Sequence, residues 1–214
     1  MIWKFLYYLI RGSIYCLALP LFRFKAFGTE HIPSTGRAIL ASNHASYLDP
    51  LLIGAGATRR INYLAKKELF SNRLFHFILR TICGALPVDR DQLDRNTLRE
   101  IFHLLNNNEM LLVFPEGTRT HDGKLGEAKL GVGMIAYNTK APVIPVYIQG
   151  TYDILSRSSK RIHCNTCRVL FGPPVALSDC YADNKSKELY KEIGRKIMES
   201  IKELEKRVQR GDLR

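Results

Sequence analysis

From Arg37 onward, short apolar runs alternate with longer segments in which apolar residues recur three and four apart. The runs at 38–42, 61–65, 86–88, 110–114, 143–148 and 168–171 have strand length and few polar interruptions, so strands buried on both faces are expected there. Between them, 67–82, 94–106 and 127–139 carry helical spacing, for instance Leu98, Ile101, Phe102 and Leu105. The tail 185–209 repeats Leu189, Ile193, Ile197, Ile201, Leu204 and Val208 and predicts a charged amphipathic helix whose polar side is solvated. Alternation of this kind predicts an α/β architecture with a largely buried sheet. Gly28, Pro33 and Gly36 punctuate the passage into it, and no internal repeat or low-complexity tract interrupts it.

The first 26 residues follow a different rule. They contain no acid, and Lys4, Arg11, Arg23 and Lys25 are their charges. On a helical period Lys4 and Arg11 share one face with Tyr8 and Tyr15, while Ile2, Phe5, Leu6, Leu9 and Cys16 occupy the other. This describes a helix lying in a membrane interface, with Trp3 and the tyrosines at headgroup level and Phe5 immersed. The uncharged stretch 12–22 is shorter than the ~20 apolar residues a spanning helix needs. Basic residues follow it where a signal peptide would carry small cleavage-site residues. The competing expectation is a helix packed on its own domain.

Composition narrows the partners without choosing one. A chain of 214 residues with 46% hydrophobic content can bury a full core. Lys and Arg number 32 against 20 Asp and Glu, a formal charge of +12 that favours nucleic acid, an anionic membrane surface or phosphorylated molecules. Basic and aromatic residues interleave at 73–80, but no nucleic-acid-binding signature accompanies them, so no nucleic-acid partner is expected. Five scattered cysteines suit a reducing compartment, and Cys164 and Cys167 lack the second pair that a zinc site needs, so no metal is expected.

The stretch 43–50 contains His44 and Asp49, which a continuous helix would hold about 140° apart around its axis. Pro50 pushes Asp49 out of helical geometry and suits the first turn of a new helix, so a strand, a loop and a helix from Pro50 would let the two side chains meet. Spacing alone leaves two readings open: a histidine base oriented by Asp49, or an aspartate that only N-caps the helix beside an incidental histidine. At 114–119, a strand runs into Pro115, Glu116, Gly117, Thr118 and Arg119, a turn that delivers a phosphate-matching guanidinium. The segment 84–90 repeats this with Arg90. Glycines at 123–133 lack the Gly-Lys-Ser/Thr ending of a nucleotide loop, and Asp122-Gly123 is first a turn signature.

Asn-His-x-Ser-x-x-Asp at 43–49, Gly-x-x-x-Val-Asp-Arg at 84–90, Phe-Pro-Glu-Gly-Thr-Arg at 114–119 and Val-Ile-Pro-Val at 143–146 resemble, in order and spacing, the four blocks of the glycerolipid acyltransferase family. The bacterial 1-acylglycerol-3-phosphate acyltransferases are most similar. One departure is Ala128 before Lys129, where the family usually has an aromatic residue. The resemblance implies a mixed sheet, with 1–26 as a membrane-associating segment carrying Trp3, Lys4, Phe5 and Arg11, and 27–214 as the acyltransferase domain. It implies His44 as general base and Asp49 as its orienting carboxylate, without a covalent acyl-enzyme. Arg90, Glu116, Gly117, Thr118, Arg119 and Lys129 would bind the acceptor. The donor would be acyl-CoA or acyl-carrier protein, with no further cofactor, and the acceptor lysophosphatidic acid, giving phosphatidic acid at the cytoplasmic face of the cell membrane. Alternatives are another acceptor, such as glycerol 3-phosphate or a different lysophospholipid, or a basic binding module without turnover.

Overall fold

The computed structural model describes residues 2–88, 94–159, 161–182 and 184–213; Arg90 therefore lies outside the described residues. The chain runs α1 (Ile2–Phe22), β1 (Lys25–Phe27), β2 (Ala38–Ser42), α2 (Asp49–Gly56), β3 (Asn62–Lys66), α3 (Arg73–Phe77) and β4 (Ala85–Val88). It continues through α4 (Arg95–Asn106), β5 (Met110–Val113), α5 (Leu130–Thr139), β6 (Val143–Gln149), α6 (Thr151–Ile154), β7 (Arg168–Phe171) and α7 (Lys187–Arg210).

The seven strands form one sheet in the order β1-β7-β6-β2-β5-β3-β4. Every neighbouring pair is parallel except β6 with β7, so the sheet is mixed. β2 lies between β5 and β6, with Leu40 opposite Leu112 on one side and Ile144 on the other. Its alternate residues enter different cores: Ala38 and Leu40 pack with Ala18, Phe22, Leu52 and Ile53, while Ile39 and Ala41 pack with Ile101, Ile135, Ile193 and Ile197. Burial on both faces is why β2 is apolar at successive positions rather than alternating. Helices α1 and α2 thus cover one face, and α4, α5 and α7 the other.

Local chemistry sets the helix ends. Asp94 accepts from the Thr97 N–H at 2.6 Å to open α4, and Ser186 accepts from the Leu189 N–H at 3.0 Å to open α7. Gly211, at φ 76°, closes α7 in the left-handed conformation. Gly133 lets α5 approach α7 closely, because a Cβ there would collide with the Tyr190 backbone.

Several expectations change. The segment 67–82 is not one helix: Lys67–Phe70 is a 3₁₀ turn, α3 restarts at Arg73, and Ile78–Ile82 is a π turn. Asn72 Oδ1 accepts from the Leu74 N–H at 2.9 Å, a side-chain cap that breaks the run in two. α5 begins only at Leu130, because the Lys129 N–H is committed to Pro115 O at 2.8 Å. β1 and α6, three and four residues long, leave too little periodicity to be read.

α1 also differs. The uncharged stretch stops short of a span, but the 21-residue helix that forms around it is long and apolar enough to cross a membrane by length and composition. It nevertheless lies on the domain along one stripe, with Tyr7, Ala18 and Phe22 buried. The Tyr7 hydroxyl accepts from the Ile61 N–H at 3.1 Å. Arg11, expected with Lys4 on an outward basic face, turns inward and donates to Ala55 O at 3.4 Å. The rest of its apolar surface is open, with Ile2, Phe5 and Leu17 remaining 71%, 70% and 62% exposed.

Candidate active site

β2 ends at Ser42, and the next residue is held as though the strand continued. The Asn43 side chain donates to Ile148 O at 3.0 Å and accepts from the Ile148 N–H at 2.8 Å, so an amide substitutes for the next backbone pairing with β6. This buried clamp fixes the point at which His44 leaves the sheet. The His44 backbone is then gripped from the 114–120 turn: its N–H donates to Glu116 Oε1 at 3.3 Å, and its carbonyl accepts from the Thr120 N–H at 2.8 Å.

The His44 ring is held on two sides. Nδ1 lies 2.8 Å from Asp49 Oδ2, and the ring stacks on Phe114 with centroids 3.9 Å apart and planes 16° off parallel. Asp49 is fully buried, and its Oδ2 also accepts from the Ala45 and Ser46 N–H groups at 2.6 and 2.8 Å. Asp49 is not an N-cap. It occupies the first turn of α2, whose N-cap is Leu48, and its side chain reaches backward to close the 44–49 loop. Ser46 secures that loop by donating to Leu155 O at 2.7 Å.

Glu116 bridges two loops, Oε1 accepting from His44 and Oε2 from the Gly126 N–H at 3.3 Å. Burial is the main cause that raises its carboxyl to about 6, opposed by the two amide hydrogen bonds and reinforced by nearby Asp49. The Glu116 carboxylate thus meets the backbone amides of His44 and Gly126. Gly117 takes φ 69°, a conformation that favours glycine, and a Cβ there would press on the Lys129 stem. Arg119 is 5% exposed, and its guanidinium carbon lies 3.4 Å from the centre of the Tyr47 ring, itself 63% exposed. Arg157, not anticipated from sequence, reaches Thr118 Oγ1 at 3.3 Å and His121 Nε2 at 3.1 Å.

His44, Phe114, Gly117, Thr118 and Lys129 open onto a groove of about 1640 Å³ that extends to α7. Its floor includes Leu64, Val88, Val113, Val132 and Ile135, and its far wall the charged face of α7 with Lys191, Arg195 and Lys202. Among the described residues lining it there is no serine or cysteine. Cys167 does not line the groove, and burial, reinforced by nearby Asp49, pushes its thiol up to about 12, leaving it protonated. No cluster of three or more His, Cys, Asp or Glu suited to a metal occurs among the described residues.

The end of a central parallel strand thus presents an imidazole, held at Nδ1 by a buried carboxylate, to a groove with an apolar floor, an arrangement suited to taking a proton from a hydroxyl. Residues 23–149 match the sequence profile of the family described as Acyltransferase. The 1-acyl-sn-glycerol-3-phosphate acyltransferase of Bacillus subtilis is 30% identical over 185 residues, covering 86% of this chain and 89% of the relative. The LPAT1 chloroplastic enzyme of that activity from Arabidopsis thaliana is 30% identical over 190 residues, covering 85% of this chain and 50% of the plant protein. The chain thus spans most of one relative and about half of the other. The crystal structure of the 1-acyl-sn-glycerophosphate acyltransferase from Thermotoga maritima superposes with a TM-score of 0.74 at 26% identity, covering 94% of this chain and 81% of that one. The chain belongs to the acyltransferase family.

Proposed function

We propose that this acyltransferase moves a fatty acyl group from a thioester, acyl-CoA or acyl-carrier protein, to the 2-hydroxyl of lysophosphatidic acid, giving phosphatidic acid. The observation that carries the chemistry is the 2.8 Å contact between His44 Nδ1 and a fully buried Asp49. With Nδ1–H donated to the carboxylate, Nε2 is the basic nitrogen available to the groove. It takes the acceptor's proton as the hydroxyl oxygen attacks the thioester carbonyl carbon. The tetrahedral intermediate collapses with loss of the thiolate, which then receives that proton from the imidazolium. Asp49 stabilises the imidazolium while it exists. The similarity to enzymes of this named activity supports the choice of acceptor.

Arg119 is the phosphate clamp in this reading, and its burial gives Tyr47 a part to play: the phosphate reaches the guanidinium as the exposed ring moves aside. Gly117, Thr118 and Lys129 line the approach, and Arg90 remains a proposed second contact. Glu116 acts through His44, holding its backbone, and so is a positioning residue. The apolar groove floor suits an acyl chain. α1 brings the site to its lipid substrates by lying in the interface of an anionic membrane with Trp3, Lys4 and Phe5 outward, a placement supported by the stripe of Tyr7, Ala18 and Phe22 that holds it on the domain. In this reading the domain lies at the cytoplasmic face of the cell membrane.

The test is a screen of purified enzyme with one acyl-CoA against lysophosphatidic acid, glycerol 3-phosphate and other lysophospholipids, reading released thiol. Turnover with lysophosphatidic acid that is lost in His44→Ala, with unchanged melting, supports the reading. Turnover only with another acceptor reassigns the substrate, and substantial turnover in folded His44→Ala removes the base assignment.

A further inference from the structure

At the other end of the sheet, where β3 and β4 begin, a second cavity of about 480 Å³ lies against α4 and the π turn at Ile78–Ile82. Its polar lining is dominated by three arginines, Arg60, Arg80 and Arg99, with Asn62 and His103 beside them and Glu100 as the acid. Glu100 pairs with Arg80 at 2.8 Å, and among the described residues no carboxylate lies within ion-pair distance of Arg60 or Arg99. Two guanidiniums without a paired carboxylate therefore line one small space.

The cavity is also built to hold one of them in place. Arg60 donates through Nη2 to Thr81 O and Ile82 O, both at 3.3 Å, and lies 5.5 Å over the Tyr7 ring. Its Nε is buried and has no hydrogen-bond partner. A buried, unsatisfied N–H on a fixed cation costs free energy unless an acceptor reaches it. Gly84, at φ 66°, keeps the space open, since a Cβ there would run into the Asn62 side chain and approach Arg60 Nη2 at 3.2 Å.

Planar guanidiniums set around a headgroup-sized space suit the oxygens of a phosphate. The surroundings indicate where that phosphate comes from. The π turn on which the cavity rests is packed by α1, and Trp3 of α1 meets Phe77 edge to face at 5.1 Å. Leu69, Leu74 and Phe77 are exposed beside it. The cavity therefore borders the apolar surface that α1 and α3 present together.

We propose that this cavity is a second phosphate site, separate from the His44 groove, which takes the phosphate of an anionic glycerophospholipid at the membrane surface. Neither Arg60 nor Arg99 takes part in the transfer chemistry, so the site can fail without the acyltransferase reading failing, and the reverse also holds.

Full-length wild type, Arg99→Gln and Arg119→Gln are titrated calorimetrically with glycerol 3-phosphate, which can enter either end. Two sites are expected in wild type and one in each variant, and Arg99→Gln keeps its turnover. The same proteins are floated with vesicles of phosphatidylcholine alone or with added phosphatidylglycerol. Arg99→Gln is expected to lose about fivefold in affinity for the anionic vesicles only, the weight of one cation near such a surface, while Lys187→Gln, an exposed cation outside both cavities, loses less. Loss of the calorimetric site without the vesicle effect makes the ligand a soluble phosphate and overturns the lipid assignment. A titration unchanged in Arg99→Gln overturns the site altogether.

Discussion

Asp49 Oδ2 meets His44 Nδ1 and accepts from the Ala45 and Ser46 N–H groups, so one oxygen organises both the ring and the loop. Asp49→Asn keeps the size but not the charge; kcat is expected to fall about 10²- to 10⁴-fold, measured as released thiol. A second prediction concerns Glu116, raised to about 6. Because this lies above its unfolded value, the folded protein holds the extra proton between about pH 4.5 and 6, and this carboxyl's contribution to stability grows as pH falls through that window. The melting temperature of wild type relative to Glu116→Gln is therefore expected to rise from pH 7 to pH 5. A difference that stays constant with pH would place the carboxyl in an ordinary environment. Tyr47 supplies a third: if its ring covers Arg119, Tyr47→Ala lowers the KM for the acceptor about two- to fivefold, the weight of an exposed cation–π contact, whereas Tyr47→Phe matches wild type. That His44 and Asp49 could meet was legible from their spacing ahead of Pro50, which left base and cap both open; only the four ordered motif blocks favoured the base. Tyr47 and Phe114 were not legible, since stacking is a relation between distant side chains that no local spacing encodes.

Among the elements, those with long periodic patterns were readable and those defined by interruptions were not. The run 38–42 and the tail of α7 carried their burial in their own residues, whereas 67–82 was split by a side-chain cap at Asn72 that apolar spacing cannot register. β1 exists because β7 offers it an edge, with Ala26 paired to Val169, and three residues hold too little pattern of their own. The contact between α5 and α7 rests on Gly133, where any side chain would meet the Tyr190 carbonyl. Gly133→Ala is expected to cost about 1–3 kcal/mol through overpacking, and thus to lower the melting temperature by roughly 2–4 °C per kcal/mol in a chain of this size. Scanning calorimetry would show it, and an unshifted transition would mean that the helices separate freely.

For the whole molecule, the exposed apolar side of α1 and the +12 charge belong to one prediction. Leu9→Glu with Leu17→Glu is expected to release the enzyme from anionic vesicles in flotation while leaving turnover on a detergent-dispersed acceptor near wild type, because neither residue touches the groove. Retention of both variants on vesicles would move membrane contact to another surface. The sequence indicated an outward apolar face for this helix, but not that Arg11 would turn inward onto Ala55, which depends on where α2 lies in the fold. That contact has a geometric result. α2 is eight residues long, about 12 Å; it begins at Asp49 and packs against α1 around Leu52, Ile53 and Ala55. If α1 lies at the headgroups, this direct packing leaves His44 little freedom to change its height above the bilayer. An acceptor hydroxyl must rise to that elevation to react, so membrane thickness and lipid packing become part of the enzyme's selectivity.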